Sequence, residues 1–222
     1  MNILYSAIYL FITFLLTVFV YHFFKREGMY IWICLSIIIS NIQSVKIIDV
    51  FGLSVVLGNI AYSNVFLATD ILNEFEGKKV ANKSVLFGFL SIIVFTLLMA
   101  FSLLFEPSDI DIAQKSLEQI FLVIPRLCLA SLCAYLVSQY MDVYIYEKLK
   151  KKYNKLWLSN NLSTIVSQLV DTIVFIIVGY YGSANINDLI TMGITMYILK
   201  IIIALLDTGF IYLSKSMKKE VI

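Results

Sequence analysis

The chain has 222 residues, of which 60% are hydrophobic and only 14% charged, with a mean hydropathy of +0.89. Soluble domains are about 45–50% apolar and about 25% charged, so this composition excludes an ordinary soluble domain. The net charge of +2 is too small to indicate nucleic-acid binding. We therefore expect one membrane domain over 1–222, surrounded by the lipid bilayer and without an attached soluble module.

Seven stretches are apolar enough to cross a bilayer as helices, which takes about 20 residues each. The first has no basic segment before it and no small-residue cleavage site after it, so we interpret it as a helix and not as a signal peptide. The predicted fold class is all-α, a polytopic membrane bundle of about seven transmembrane helices. In chain order these cover 3–24, 29–48, 52–75, 84–105, 120–146, 157–181 and 188–213.

Basic residues fall on alternate connections between the predicted helices. The basic segments are 25–26, 78–83, 148–155 and 215–219. The opposite loops are acidic or neutral. Because basic residues collect on the cytoplasmic side, this pattern predicts that the N-terminus lies outside and the C-terminus inside.

The third stretch is apolar on average but carries many groups that hydrocarbon rejects. Its members at steps of three or four residues share one helical face: Asn59, Tyr62, Phe66, Asp70 and Glu74. A carboxylate at the bilayer centre costs about 2.5–3.5 kcal/mol on insertion scales, so it persists where it faces protein or water. This face predicts a polar interior.

Other predicted helices add candidate ligand contacts: Asn41, Gln43, Arg126, Gln139, Asn161, Ser167, Gln168, Asp171 and Lys200. Asp171 and Lys200 fall near mid-membrane, and we expect Lys200 to pair with Asp171 or, as an alternative, with Asp207. A purely structural role is the other interpretation, since such groups often only bond neighbouring helices. Several ionisable groups would together cost about as much as a domain's whole stability, about 5–15 kcal/mol, which favours a hydrated cavity.

Catalytic and metal sites receive little support from the sequence. His22 is the single histidine, which excludes a two-histidine zinc site and disfavours a Ser–His dyad. Aspartyl proteolysis by Asp70 with Asp171 would need a Gly-x-Gly-Asp context that is missing. The cysteines are odd in number and fit no metal pattern: Cys34, Cys128 and Cys133. We expect no enzyme, no metal and no cofactor, and no nucleotide hydrolysis because a Gly-rich phosphate loop is lacking.

Five segments together resemble the queuosine precursor transporters, a vitamin-uptake-type family. They are SNIQSVK at 40–46, FLATDILNEFEG at 66–77, PRLCLASLCAYLVSQYMDVYIYEKLK at 125–150, WLSNNLSTIVSQLVDT at 157–172 and the stretch 200–212. The resemblance implies import of 7-deazaguanines such as preQ0, preQ1 or queuine across the bacterial cytoplasmic (inner) membrane, for queuosine in tRNA. It also implies a six-helix core similar to the substrate-binding subunits of energy-coupling-factor transporters, to which this chain adds a first helix. Gly209 stands where many members have Pro.

The candidate residues suit such a ligand. A deazaguanine presents N1–H and an exocyclic amine on one edge, which a carboxylate can accept bidentately, and its O6 needs a donor. We expect Asp171 to accept that edge, and Asp70 and Glu74 to hold an inner gate or a helix–helix bond. The alternatives are a substrate-binding subunit of an ATP-driven energy-coupling-factor transporter for a vitamin-like heterocycle, and a membrane enzyme or scaffold. The sequence is compatible with a homo-oligomer and with a separate coupling module as a partner.

Overall fold

The computed structural model describes residues 1–50, 53–121, 125–182 and 185–219, and the side chains of all of these except 47, 53, 54, 125–128, 188, 218 and 219. Helices account for most of this part of the chain, which confirms the all-α class. The elements in chain order are α1 (Asn2–Gln43), β1 (Ile47–Val50), β2 (Leu53–Val56), α2 (Leu57–Phe75), α3 (Lys78–Ser102), α4 (Gln114–Phe121), α5 (Pro125–Tyr153), α6 (Leu156–Tyr180) and α7 (Ile186–Lys219).

Helix α1 consists of two antiparallel arms. Lys25 has φ 50° and ψ −139°, a non-helical conformation that reverses the chain direction. Tyr9 Oη donates to Gln43 Oε1 at 3.0 Å, and Trp32 Nε1 donates to Thr17 Oγ1 at 2.9 Å, so residues on either side of the turn meet. A straight helix of 42 residues would be about 63 Å long, about twice the hydrocarbon thickness. Folded back, α1 supplies the first two predicted helices.

The second and third predicted helices extend too far at their facing ends, and this part of the prediction is wrong. Helix α1 ends at Gln43, and β1 and β2 form an antiparallel pair with Ile48 opposite Val55. β-branched residues favour extended backbone, and the strand pair satisfies backbone groups between the two helices. The side chains of Val50 in β1 and Val55 in β2 are buried.

Helix α2 lies at the centre of the bundle. Of its 19 residues, 14 are buried, and it contacts α1, α3, α5, α6 and α7. Within the described part of the chain, four other segments are long and apolar enough to cross a membrane by length and composition: Asn2–Gln43, Lys78–Ser102, Leu156–Tyr180 and Leu189–Met217. Because these helices supply the apolar outer surface, α2 can carry a polar face through the interior.

The basic segments gather at one end of the bundle, which we call the basic end. Lys150 Nζ lies 2.9 Å from Glu74 Oε2, and Lys215 Nζ lies 3.5 Å from Glu74 Oε1. The α1 turn reaches the same place, since Tyr21 Oη donates to Glu76 Oε1 at 2.8 Å. The β1–β2 pair lies at the opposite, hairpin end. The basic segments that alternate along the sequence therefore lie together at one end of the bundle, and the β1–β2 pair lies at the other.

Gly58 lies where α2 packs tightly against the end of α1. A Cβ at this position would overlap the backbone carbonyl oxygen of Ser40 and the hydroxyl of Ser44. We expect Gly58→Ala to lower the melting temperature in detergent, because forced overpacking costs about 1–3 kcal/mol. The matched control is Gly209→Ala in α7, where an added Cβ has no atom within 4 Å. That change should be neutral or stabilising, and equal melting of Gly58→Ala and the parent would contradict the packing.

Candidate ligand-binding site

A cavity runs from the hairpin end toward the middle of the bundle, between α1, α2, α5, α6 and α7. Its main part has a volume of about 50 Å³. A neighbouring cavity of about 10 Å³ shares Asn59, Tyr62 and Lys200 with it and is also lined by Asp207. We call both parts the central cavity. Its polar and aromatic lining comprises Ser40, Asn41, Ser44, Asn59, Tyr62, Ser63, Phe66, Ser131, Tyr135, Thr164, Gln168, Asp171, Phe175, Lys200 and Asp207.

A buried ion pair between Lys200 and Asp171 borders the central cavity. Lys200 is 5% exposed and Asp171 4%. Lys200 Nζ contacts Asp171 Oδ2, and Ser138 Oγ donates to Asp171 Oδ1 at 2.9 Å. Charges buried in this way persist because each neutralises the other and both are hydrogen-bonded. The pairing expected from membrane depth is present, with Asp171 and not Asp207 as the partner.

Aromatic rings from α2 and α5 form another wall. The ring centroids of Tyr62 and Tyr135 are 6.0 Å apart, and those of Tyr62 and Phe66 are 5.5 Å apart, both in edge-to-face geometry. Tyr135 Oη donates to the Val85 carbonyl oxygen at 3.1 Å, which anchors this ring to α3. The cavity therefore combines flat apolar faces with a carboxylate and an ammonium group.

Seven of the predicted site residues line the central cavity: Asn41, Asn59, Tyr62, Phe66, Gln168, Asp171 and Lys200. The i, i+3, i+4 spacing on α2 brought three of them to the same wall, as helical periodicity requires. The Arg126 side chain lies outside the described residues.

Six predicted residues lie elsewhere. Gln43 accepts from Tyr9 between the two arms of α1, and Asn161 Oδ1 accepts from Thr208 at 3.2 Å. Gln139 Oε1 accepts from Thr69 at 3.1 Å, which joins α2 to α5. The other three, Asp70, Ser167 and Glu74, lie nearer the basic end.

Glu74 joins three helices at the basic end. Besides Lys150 and Lys215, its carboxylate accepts from Tyr146 Oη at 2.9 Å, so that α2, α5 and α7 meet at one side chain. We call this group the Glu74 clasp. It is a helix–helix bond of the kind expected for Glu74, and its two lysines lie on α5 and α7.

Asp70 and Ser167 belong to a cluster of buried polar groups between the central cavity and the clasp. Ser167 Oγ donates to Asp142 Oδ1 at 2.8 Å, and Thr164 Oγ1 donates to Asp70 Oδ2 at 3.4 Å. Sequence reasoning left Asp142 out of the candidate site. The signal was available on α5, where Tyr135, Ser138 and Asp142 follow one another at steps of three and four residues.

Comparison with known proteins adds to this geometry. The family model described as "Putative vitamin uptake transporter" matches residues 56–214. A Bacillus subtilis protein named "Probable queuosine precursor transporter" is 38% identical over 209 residues, which are 93% of this chain and 91% of that protein. The chain belongs to this family of vitamin uptake and queuosine precursor transporters.

More distant members of the family match a smaller share of the chain. A Haemophilus influenzae protein named "Probable queuosine precursor transporter" is 26% identical over 67% of this chain and 63% of its own length. The Escherichia coli "Queuosine precursor transporter" is 24% identical over 62% of this chain and 61% of its own length. No solved structure matches the chain. The family resemblance inferred from the sequence motifs is thus confirmed.

The Lys200–Asp171 pair can be tested by a double-mutant cycle in detergent thermal melts. Lys200→Met leaves a buried carboxylate unpaired, which costs about 3–5 kcal/mol. Adding Asp171→Asn removes that charge, so the double variant should regain part of the lost stability.

The matched control is the pair of Lys151 and Glu147 on the surface of α5, with Nζ and Oε1 2.9 Å apart. Lys151→Met and Glu147→Gln should shift the melting temperature little and additively, since exposed pairs contribute little. Strictly additive effects at Lys200 and Asp171 would contradict the buried pair.

Proposed function

We propose that this protein imports queuosine precursors, 7-deazaguanines such as preQ0, preQ1 or queuine, across the bacterial cytoplasmic membrane, without changing them chemically. The observation that carries the proposal is the buried Lys200–Asp171 pair at the edge of a cavity inside a membrane helix bundle. The name of the Bacillus subtilis relative supports the substrate class. Fold alone would not, because one fold serves many functions.

The chemistry of the pair fits the guanine-type edge. That edge presents, side by side, the acceptor O6 and the donors N1–H and exocyclic N–H. Lys200 supplies donors for O6, and Asp171 supplies two acceptor oxygens for the N–H groups. A ligand in this position separates the ammonium from the carboxylate and gives each a new hydrogen-bond partner, so neither buried charge is left without one. Tyr62 and Tyr135 offer the adjacent aromatic surface for the flat ring.

Ligand entry requires the cavity to widen. A volume of about 50 Å³ holds a few water molecules and not a bicyclic ring. The helices around the cavity must therefore move apart on binding. We place the inner gate at the Glu74 clasp, where one carboxylate holds three helices together at the basic end.

The basic end faces the cytoplasm in this proposal, with the N-terminus outside and the C-terminus inside. A green fluorescent protein fused after residue 222 should then fluoresce in intact cells, because it folds in the cytoplasm and not after export through the general secretory route. The same fusion placed before residue 1 behind an export signal serves as the control and should be dark. A dark C-terminal fusion, made at the same level as the control, would contradict the orientation.

Uptake by the purified chain is the primary test. Proteoliposomes that contain this chain alone should exchange internal unlabelled preQ1 for external radiolabelled preQ1. Exchange by the chain alone also excludes an obligate ATP-driven coupling module. If neither exchange nor calorimetric binding of preQ0, preQ1 or queuine occurs, the proposed function is wrong.

Asp171→Asn tests the placement of the ligand edge. The substitution keeps the side-chain shape but puts an N–H donor where the ligand also presents N–H donors. Loss of a charge-assisted hydrogen bond of about 1.5–3 kcal/mol predicts affinity that is about ten- to a hundredfold weaker in calorimetry. The exposed loop variant Asp109→Asn carries the same charge change and should bind like the parent. Unchanged binding by Asp171→Asn would remove Asp171 from the ligand site.

A further inference from the structure

The carboxyl groups of Asp70 and Asp142 meet inside the protein. Both residues are 0% exposed, on α2 and α5 respectively. One oxygen of each accepts a hydroxyl, from Thr164 and Ser167. Among the described residues the remaining oxygens, Asp70 Oδ1 and Asp142 Oδ2, have no donor. Thr164 and Ser167 are three residues apart on one face of α6, so the two carboxyl groups that they hold lie next to each other.

Two ionised carboxylates cannot occupy this arrangement stably. Each can only accept hydrogen bonds, and like charges a few ångströms apart in a buried site repel strongly. A single proton on either group supplies the missing donor for Asp70 Oδ1 and Asp142 Oδ2 together. The geometry is therefore that of a carboxyl–carboxylate pair that shares one proton.

The surrounding charges favour a bound proton. Asp207 on α7 adds a third buried carboxyl group, whose Oδ1 accepts from Asn160 Nδ2 at 2.8 Å. Helix α6 faces the pair with hydroxyl groups, and the carboxylate that α6 itself carries, Asp171, is paired with Lys200. Tyr146 on α5 and Glu74 on α2 lie toward the basic end. The nearby ammonium groups form ion pairs with other carboxylates. Lys200 pairs with Asp171, and Lys150 and Lys215 pair with Glu74.

The pair is connected to both the cavity and the clasp. Asp142 follows Ser138, which holds Asp171, by four residues on α5. Asp70 follows Phe66 of the cavity wall by four residues on α2 and precedes Glu74 by four. Each step of four residues is about one helical turn. A change in the distance between Asp70 and Asp142 thus moves the seam between α2 and α5, and with it the cavity wall and the clasp.

We propose that the Asp70–Asp142 pair is the proton-binding site that couples proton entry to import of the precursor. The inference rests on the proposed function. A proton arriving from outside binds to one carboxylate oxygen and draws α2 and α5 together. Its release toward the cytoplasm leaves two carboxylates, whose repulsion favours separation of these helices near the Glu74 clasp and so gives ligand release its direction. The gate can also open without this bias, which permits exchange but not accumulation.

An infrared measurement tests the shared proton without any ligand. The parent should show a protonated-carboxyl C=O band that shifts in D₂O and disappears at high pH. Asp142→Asn, whose amide can donate to Asp70 in place of the proton, should lose that band or a distinct part of it. A parent spectrum without a titrating carboxyl band would overturn the shared proton, whatever the variants do.

Transport separates coupling from binding. In proteoliposomes with an acidic exterior, the parent should accumulate radiolabelled preQ1 against its gradient. Asp70→Asn and Asp142→Asn should keep exchange within about threefold of the parent but lose at least about tenfold of the accumulation. In each variant the amide supplies the donor in place of the proton, and the remaining carboxylate has no like charge beside it that favours protonation. Glu147→Gln, which carries the same change on the surface of α5, should behave like the parent.

Other results would overturn either the proton coupling or the import function. Exchange in the parent without accumulation under a proton gradient would overturn the coupling and leave the import function intact. Accumulation that follows a sodium gradient at clamped pH would also overturn it. Loss of exchange in both Asn variants, with folding verified by thermal melts, would place the pair in ligand binding instead. Absence of both exchange and binding in the parent would overturn the proposed function itself.

Discussion

Helix α2 carries polar side chains through the centre of a membrane bundle, and each of them requires a partner from another helix. The Asn64 side chain lies between Thr17 and Ser36 of the two arms of α1, and Asn73 Nδ2 donates to the Val143 carbonyl oxygen of α5 at 3.3 Å. At the basic end, Glu74 engages both α5 and α7. The outer helices are therefore fixed around α2 by hydrogen bonds as well as by packing. Apolar side chains alone would not set their order, because lipid solvates such surfaces equally well.

Buried carboxylates are stabilised in two different ways at two levels of the bundle. Around the central cavity, Asp171 is balanced by the ammonium group of Lys200, and a ligand that presents one acceptor next to two donors can take the place of each partner. Closer to the basic end, Asp70 and Asp142 have no such cation among the described side chains, and a proton is the simplest group that satisfies both. The same two helices, α2 and α5, pass through both levels. In the proposed mechanism, this shared scaffold couples ligand binding to proton binding.

Much of this arrangement could be predicted from the sequence, for physical reasons. Long apolar segments and alternating basic loops predicted the helical bundle, because the bilayer imposes length and hydropathy. Depth along the helices predicted the pairing of Lys200 with Asp171. The strand pair between α1 and α2 and the short helix α4 were missed, since short β-branched or mixed segments next to a long helix give no separate periodic signal. The contact of Asp70 with Asp142 was also missed, because it depends on how α2 and α5 are rotated against each other, which tertiary packing decides.

The measurement that tests this account most directly is an experimental structure of the protein with preQ1 bound. The account predicts that the ligand lies between the Asp171 carboxylate and the Lys200 ammonium, in place of their direct contact, with its ring against Tyr62 and Tyr135 and the surrounding helices moved apart. A ligand located at another place in the bundle, with the contact between Lys200 and Asp171 unchanged, would contradict it.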